Sequence, residues 1–154
     1  MKKSILVSAC LLGLNTRYDG QTKECAAVLT FLLQHNLRPI PICPEQLGGL
    51  PTPRSACSFS RGDGEAALKG CGELRSTEGQ ILTQHFISGA QQSLKIALIT
   101  GCTQALLKER SPSCGVCNVY QGTLKINGKG VTTALLSHHG IQVFSEENLT
   151  ACRT

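Results

Sequence analysis

The run S-I-L-V-S-A at residues 4–9 is the stretch from which the fold is inferred, because it is short, β-prone and ends directly at Cys10. A second short run, R-P-I-P-I at residues 38–42, ends directly at Cys43. Its two prolines cannot donate to a strand ladder, which favours a place at the edge of a sheet. The sequence therefore predicts two strands, each followed at once by a cysteine.

Two further strands are predicted in the second half of the chain. T-Q-A-L-L-K-E at residues 103–109 leads into S-P-S-C-G, which contains Cys114. I-Q-V-F at residues 141–144 follows as the fourth strand. All four runs are short and apolar, as buried strands of a parallel sheet are.

Helical segments alternate with these strands. One is predicted over residues 22–36 with Thr22 as its N-cap, and another from Thr83, as N-cap, to about Gly101. A third covers residues 131–138. The alternation predicts an α/β fold: a Rossmann-like open parallel sheet of about four strands with helices on both faces.

Residues 46–80 differ in composition from the rest of the chain, because glycine and proline are frequent there. We expect a long Gly/Pro-rich loop with little regular structure, and loops of this length are usually functional. The whole length of 154 residues fits a single domain, residues 1–154.

Composition excludes several classes of protein. With 41% hydrophobic residues the chain is not disordered, and no apolar run approaches the roughly 20 residues of a membrane span. The net charge of +5 is not concentrated in a basic run, and the chain has no Trp and only 4% aromatic residues. We therefore expect no strong nucleic-acid signal, since base stacking needs aromatic platforms.

The chain contains nine cysteines, an odd number that intramolecular disulfides alone cannot close. No signal peptide is recognisable before the first strand. We therefore expect a reducing, cytoplasmic location, where cysteines are more often metal ligands or catalytic groups than bridges.

Cys10, Cys43 and Cys114 each follow a predicted strand, and the carboxyl ends of parallel strands meet at one edge of a sheet. Three thiolates without matching histidines suit iron–sulfur chemistry, and three ligands leave one iron open. Zinc binding or thiol chemistry remains an alternative, because Cys114 and Cys117 form a C-x-x-C pair. Four of the other thiols are interpreted as small buried hydrophobes: Cys25, Cys71, Cys102 and Cys152.

Several ordered motifs resemble the thiouracil desulfidase family (TudS). They run over nearly the full chain and comprise S-A-C-L-L-G at 8–13, R-Y-D-G at 17–20, C-P-E-Q-L-G-G-L at 43–50, P-R at 53–54, S-P-S-C-G at 111–115, Y-Q-G-T at 120–123 and G-I-Q-V-F-S-E at 140–146. The run S-A-C-S at 55–58 and the Gln in Y-Q-G-T-L depart from the family's usual pattern, and neither departure touches a proposed ligand.

The resemblance implies a [4Fe–4S] cluster held by three cysteines, here Cys10, Cys43 and Cys114, with one open iron. It implies Glu45 and Ser111 as the catalytic residues. The implied reaction is removal of sulfur from a thiolated pyrimidine such as 2-thiouracil, in which C=S becomes C=O and sulfide leaves. The small-molecule partner would be a thiolated base. The alternatives are thiolated nucleosides or RNA bases as substrates, a thiol enzyme, and a non-catalytic metal- or cluster-binding module.

Overall fold

The computed structural model of the protein describes residues 1–152. Its strands are β1 (Lys3–Ser8), β2 (Leu37–Ile42), β3 (Cys57–Arg61), β4 (Glu73–Ser76), β5 (Gln104–Leu107), β6 (Asn118–Gln121), β7 (Leu124–Asn127) and β8 (Gln142–Ser145). Its α-helices are α1 (Ala26–Gln34), α2 (Pro44–Leu47), α3 (Gly64–Leu68), α4 (Thr83–Thr100) and α5 (Val131–His138). Short 3₁₀ turns cover Ala9–Leu12 and Leu149–Ala151.

The four predicted strands form one parallel sheet in the order β2-β1-β5-β8. β2 lies at an edge, as its prolines Pro39 and Pro41 require, and pairs with β1 along its whole length. All four strands run in the same direction, so their carboxyl ends lie along one edge of the sheet. The prediction of a parallel α/β sheet is confirmed.

Helices cover both faces of this sheet. Side chains of a strand alternate between its two sides, so neighbouring residues of β1 pack against different helices. Ile5 and Val7 pack on one side, in a cluster with Val28 of α1. Leu6 points to the other side and packs in a cluster with Ala97 of α4 and further residues of α5 and β5. The sheet is therefore the middle layer of a three-layer core.

The long Gly/Pro-rich loop predicted over residues 46–80 is wrong. That segment contains the end of α2 together with β3, α3 and β4, and its strands join β6 and β7 in a second sheet of order β4-β3-β6-β7. Phe59, Leu74 and Val119 form its apolar core against α4 and α5. The strands are only four or five residues long, which leaves too little alternation for the sequence to show.

Two predicted N-caps are also wrong. α1 begins at Ala26, and the hydroxyl of Thr22 donates instead to the carbonyl of Cys10 over 2.9 Å. α4 begins at Thr83, but the Thr83 hydroxyl accepts the backbone N–H of Leu74 over 3.0 Å and caps nothing. In both cases a tertiary hydrogen bond replaces the local one. Within residues 1–152 there is no helix that combines the length and the apolar character needed to cross a membrane.

Candidate active site

The three cysteines predicted at strand ends line one cavity of about 510 Å³. Cys10 lies in the 3₁₀ turn that follows β1, Cys43 directly follows β2, and Cys114 lies in the loop after β5. Glu45 and Ser111 line the same cavity. All five residues singled out from the sequence therefore come together at the carboxyl edge of the parallel sheet.

The backbone of Cys10 is held by three donors on a single carbonyl. Its oxygen accepts the Gly13 N–H at 3.3 Å, the Lys23 N–H at 3.0 Å and the Thr22 hydroxyl at 2.9 Å. Gly13 has φ 95, a left-handed conformation that glycine adopts without a steric cost. The turn is thereby fixed on both its flanks.

Cys43 is the N-cap of the short helix α2, and its Sγ lies 3.6 Å from the carbonyl oxygen of Thr16. The helix is placed by a close backbone approach to α4. A Cβ atom built on Gly89 would lie 1.9 Å from the carbonyl oxygen of Pro44, so only glycine fits there. This contact positions Cys43 and Glu45, which flank Pro44 in the chain.

Cys114 is buried in a loop that is tied to the start of α5. The Gly130 N–H donates to the carbonyl of Gly115 at 2.8 Å, and the Thr133 hydroxyl donates to the carbonyl of Cys114 at 2.8 Å. The hydroxyl of Ser113 lies 3.6 Å from the Cys114 sulfur. The loop conformation therefore depends on α5 as much as on its own Ser-Pro turn.

Burial raises the pKa of all three thiols. It raises the pKa of Cys10 from 9.0 to about 11. The nearby charge of Lys108 lowers this pKa, and the charge of Cys43 raises it. Burial likewise raises the pKa of Cys43, and a hydrogen bond from the backbone N–H of Gln46 opposes this shift by lowering the pKa. It raises the pKa of Cys114 to about 12, against hydrogen bonds to the hydroxyls of Ser8 and Ser113, which lower it.

These thiols are consequently protonated near neutral pH, and any metal that they bind must displace their protons. A nucleophilic cysteine needs the opposite shift, a lowered pKa in an electropositive, partly exposed place. Of the C-x-x-C pair, Cys114 is buried and Cys117 is exposed.

Glu45 is held at both of its carboxylate oxygens. Arg54 Nε donates to Oε1 over 3.1 Å, and Ser113 Oγ donates to Oε2 over 3.1 Å. The Arg54 and Glu45 side chains are only 7% and 14% exposed. Arg54 also donates to the carbonyl of Thr16 at 2.9 Å. Glu45 is thus an oriented carboxylate and not a solvated loop residue.

Ser111 stabilises its own turn and also lines the cavity. Its oxygen accepts the backbone N–H groups of Ser113 at 3.3 Å and Cys114 at 3.2 Å. Its hydroxyl lies 3.0 Å from that of Ser113. Ser111 therefore stabilises its turn and at the same time lies in the wall of the cavity.

Sequence reasoning missed three residues of this site. Arg54 belongs to one of the family motifs but was not predicted as a site residue, Ser113 sits inside S-P-S-C, and Cys57 lines the same cavity. The pKa of Cys57 is raised to about 11, first by burial and then by the charge of Glu45. Only the family motif could have drawn attention to Ser113, because its partner Glu45 lies far away in sequence.

Glu109 is a further residue without a sequence signal. Its Oε1 accepts the N–H groups of Val116 at 2.8 Å, Cys117 at 3.0 Å and Asn118 at 3.1 Å. Burial raises the pKa of this carboxyl, but those N–H donors lower it below its usual value on balance. The carboxylate fixes the loop that carries Cys114.

Arg17 and Tyr18, from the R-Y-D-G motif, also line the cavity. Arg17 pairs with Asp19 at 3.6 Å and does not contact Glu45. Within residues 1–152, no three His, Cys, Asp or Glu side chains are already arranged to hold a single metal ion.

The fold and the cavity define an α/β protein in which three cysteine thiols and an oriented carboxylate converge at the carboxyl edge of a parallel sheet. The chain belongs to the 2-thiouracil desulfurase family, whose model matches residues 5–148. The resemblance inferred from the ordered motifs is confirmed.

Two relatives illustrate this membership. The chain is 38% identical over 148 residues to the uncharacterized protein YbbK of Bacillus subtilis (strain 168), covering 94% of this chain and 97% of that one. Among solved structures it is similar to a [4Fe-4S]-dependent thiouracil desulfidase, TudS. That match has a TM-score of 0.82 and 43% identity, and it covers 97% of this chain and 94% of the other.

Proposed function

We propose that the protein is a [4Fe–4S]-dependent desulfidase that converts the C=S group of a thiolated pyrimidine, such as 2-thiouracil, to C=O and releases sulfide. The family and the similarity to TudS support the activity. The observation that carries the proposal is one cavity lined by three cysteine thiols and the paired carboxylate of Glu45.

We propose Cys10, Cys43 and Cys114 as the ligands of the cluster. The donor set fits, because these are soft sulfur ligands and no histidine lines the cavity. A cluster distributes its ligands over separate irons, so the thiols need not surround a single point. With three cysteine ligands, the cluster supplies an iron with a free position and a soft Lewis acidity toward sulfur.

Glu45 would carry the proton transfers. Hydrolysis adds water to the thiocarbonyl carbon and removes sulfur as hydrogen sulfide, so both protons of water must pass from oxygen to the leaving sulfur, and one group can take up and return each of them in turn. Glu45 is suited to both steps because Arg54 and Ser113 fix its two oxygens beside the cavity. General acid–base help of this kind contributes about 10²–10⁴-fold.

Ser111 would orient the attacking water or the pyrimidine ring at the cavity wall by accepting a hydrogen bond. The backbone N–H groups on its oxygen fix the position of that hydroxyl. A volume of about 510 Å³ is within the usual range for sites that enclose small molecules, which supports a free thiolated base as substrate.

We also propose that the chain forms one desulfidase-like domain and works in the reducing cytoplasm. The family model spans residues 5–148 of the chain. All nine cysteines are free thiols, as a reducing compartment maintains them.

The proposal is tested by sulfide release from protein prepared without oxygen, offered free thiobases, thionucleosides and thiolated RNA in parallel. We expect an iron–sulfur absorption band and sulfide release from the free bases. Turnover confined to nucleosides or RNA would overturn the substrate assignment. A loaded cluster with no turnover would indicate a binding module, and colourless zinc protein would contradict the cofactor.

A further inference from the structure

The hydroxyl of Ser113 contacts three groups of the site. Its Oγ lies 3.0 Å from Ser111 Oγ, 3.1 Å from Glu45 Oε2 and 3.6 Å from Cys114 Sγ. The residue is only 1% exposed, so a substrate in the cavity has almost no access to it. Any effect of Ser113 on the reaction must act through these neighbours.

A count of protons gives the direction of the hydrogen bonds. A hydroxyl has one proton and two acceptor positions, whereas a carboxylate only accepts. Ser113 therefore gives its proton to Glu45 Oε2 and accepts the proton of Ser111. Ser111 in turn accepts the backbone N–H of Cys114 at 3.2 Å. One directed chain of hydrogen bonds runs from the backbone at Cys114 to the carboxylate of Glu45.

Ser113 is itself rigidly placed. Its carbonyl oxygen accepts the N–H groups of Thr132 at 2.8 Å and Thr133 at 3.3 Å, at the start of α5. A Cβ atom on Gly130 would lie 2.4 Å from the Ser113 carbonyl carbon, so the two backbones are in close contact. The serine cannot shift without moving α5. It thus gives Glu45 a fixed support on the side opposite Arg54.

We propose that Ser113 is a positioning residue for the desulfidation: its hydroxyl joins Glu45 to Ser111 and holds both in one geometry toward the cavity. The inference rests on the proposed function. Glu45 follows β2 and Ser111 follows β5, and the Ser113–Glu45 hydrogen bond joins these two parts of the site directly. Without this hydrogen bond, Glu45 keeps its ion pair with Arg54 but loses the contact that positions Oε2.

The test compares Ser113→Ala, Ser111→Ala and their double variant with the parent, all loaded without oxygen. Iron and sulfide content is measured for each, together with kcat and KM for sulfide release. Ser93→Ala is the matched control, because Ser93 is equally buried and its hydroxyl donates to the carbonyl of Gly89, away from the cavity.

We expect Ser113→Ala to keep its iron and its KM while kcat falls about 10- to 100-fold, the effect of losing one hydrogen bond to a charged group. Ser93→Ala should match the parent. In the Ser111→Ala background the same change should cost much less than in the parent, because the two hydroxyls act as one unit.

Three results would overturn the inference while leaving the proposed function intact. They are a loaded Ser113→Ala variant with parental kcat, losses that multiply independently in the double variant, and loss of iron from Ser113→Ala. The last would mean that the hydroxyl serves the Cys114 sulfur and not Glu45. A parent enzyme that releases no sulfide from any thiolated base would overturn both proposals together.

Discussion

Replacement of Gly89 by alanine is the sharpest test of how the fold places the site. Gly89 lies in α4, on the side that faces α2, and a Cβ there would meet the Pro44 carbonyl oxygen at 1.9 Å. Ordinary contact begins at 3.4 Å. α2 would therefore have to retreat by about 1.5 Å, since a packed core does not compress. That movement carries Cys43 and Glu45 with it.

The expected cost to folding is small compared with the cost to activity. Overpacking a core costs about 1–3 kcal/mol, and alanine returns about 1 kcal/mol through its better helix propensity. A misplacement of about 1 Å at a reacting centre, in contrast, lowers a rate about 100-fold. Gly89→Ala should thus remain folded, lose at least about 100-fold in kcat and bind iron less tightly.

The assay combines urea unfolding, iron content and sulfide release, each compared with Gln91→Ala. Gln91 is an exposed residue of the same helix, so that variant adds an alanine without touching α2. A Gly89→Ala protein with full iron and parental kcat would refute the reasoning, because the close approach would then not position the site.

Three further predictions concern single groups of the site. Arg54→Met should lower the free energy of unfolding by about 3 kcal/mol, because it leaves the nearly buried Glu45 carboxylate without its cation; an unchanged urea midpoint would contradict this. Glu45→Gln should keep its cluster and lose about 10²–10⁴-fold in kcat, and near-parental turnover would disprove the acid–base role. The cluster-free protein should lose stability as pH rises above 9, because the unfolded chain releases the thiol protons first while burial holds the pKa of Cys10 at about 11 and that of Cys114 at about 12. Urea midpoints at about pH 8 and about pH 10.5 measure this loss of stability, and Cys10→Ser should make the loss smaller. An equal drop in midpoint between the two pH values in parent and variant would contradict a raised pKa at Cys10.

The parallel sheet could be predicted from sequence because its strands are buried and bounded by clear signals. β1 ends at Ser8, two residues before Cys10, β2 ends at Ile42, directly before Cys43, and α5 occupies the predicted residues 131–138. The second sheet could not be predicted, since each of its strands is four or five residues long and is stabilised by pairing with distant segments. Glycine and proline are frequent in its turns, and a high frequency of these residues is equally typical of an irregular loop.

The meeting of the cysteines in one cavity could also be predicted, from one rule of topology. Strands that run in parallel present their carboxyl ends together, so Cys10, Cys43 and Cys114 had to approach one another. The support around them could not be predicted. The contact of Glu45 with Ser113 joins residues far apart in sequence, and neither side chain signals it locally.

The most direct measurement of the central proposal is the iron and acid-labile sulfide content of oxygen-free protein, in the parent and in Cys10→Ser, Cys43→Ser and Cys114→Ser. Cys25→Ser is the control, because Cys25 does not line the cavity of about 510 Å³. We expect about four irons per chain in the parent and the control, and a large loss in each of the three variants. Full iron content in any one of those three variants would contradict the proposed ligand set.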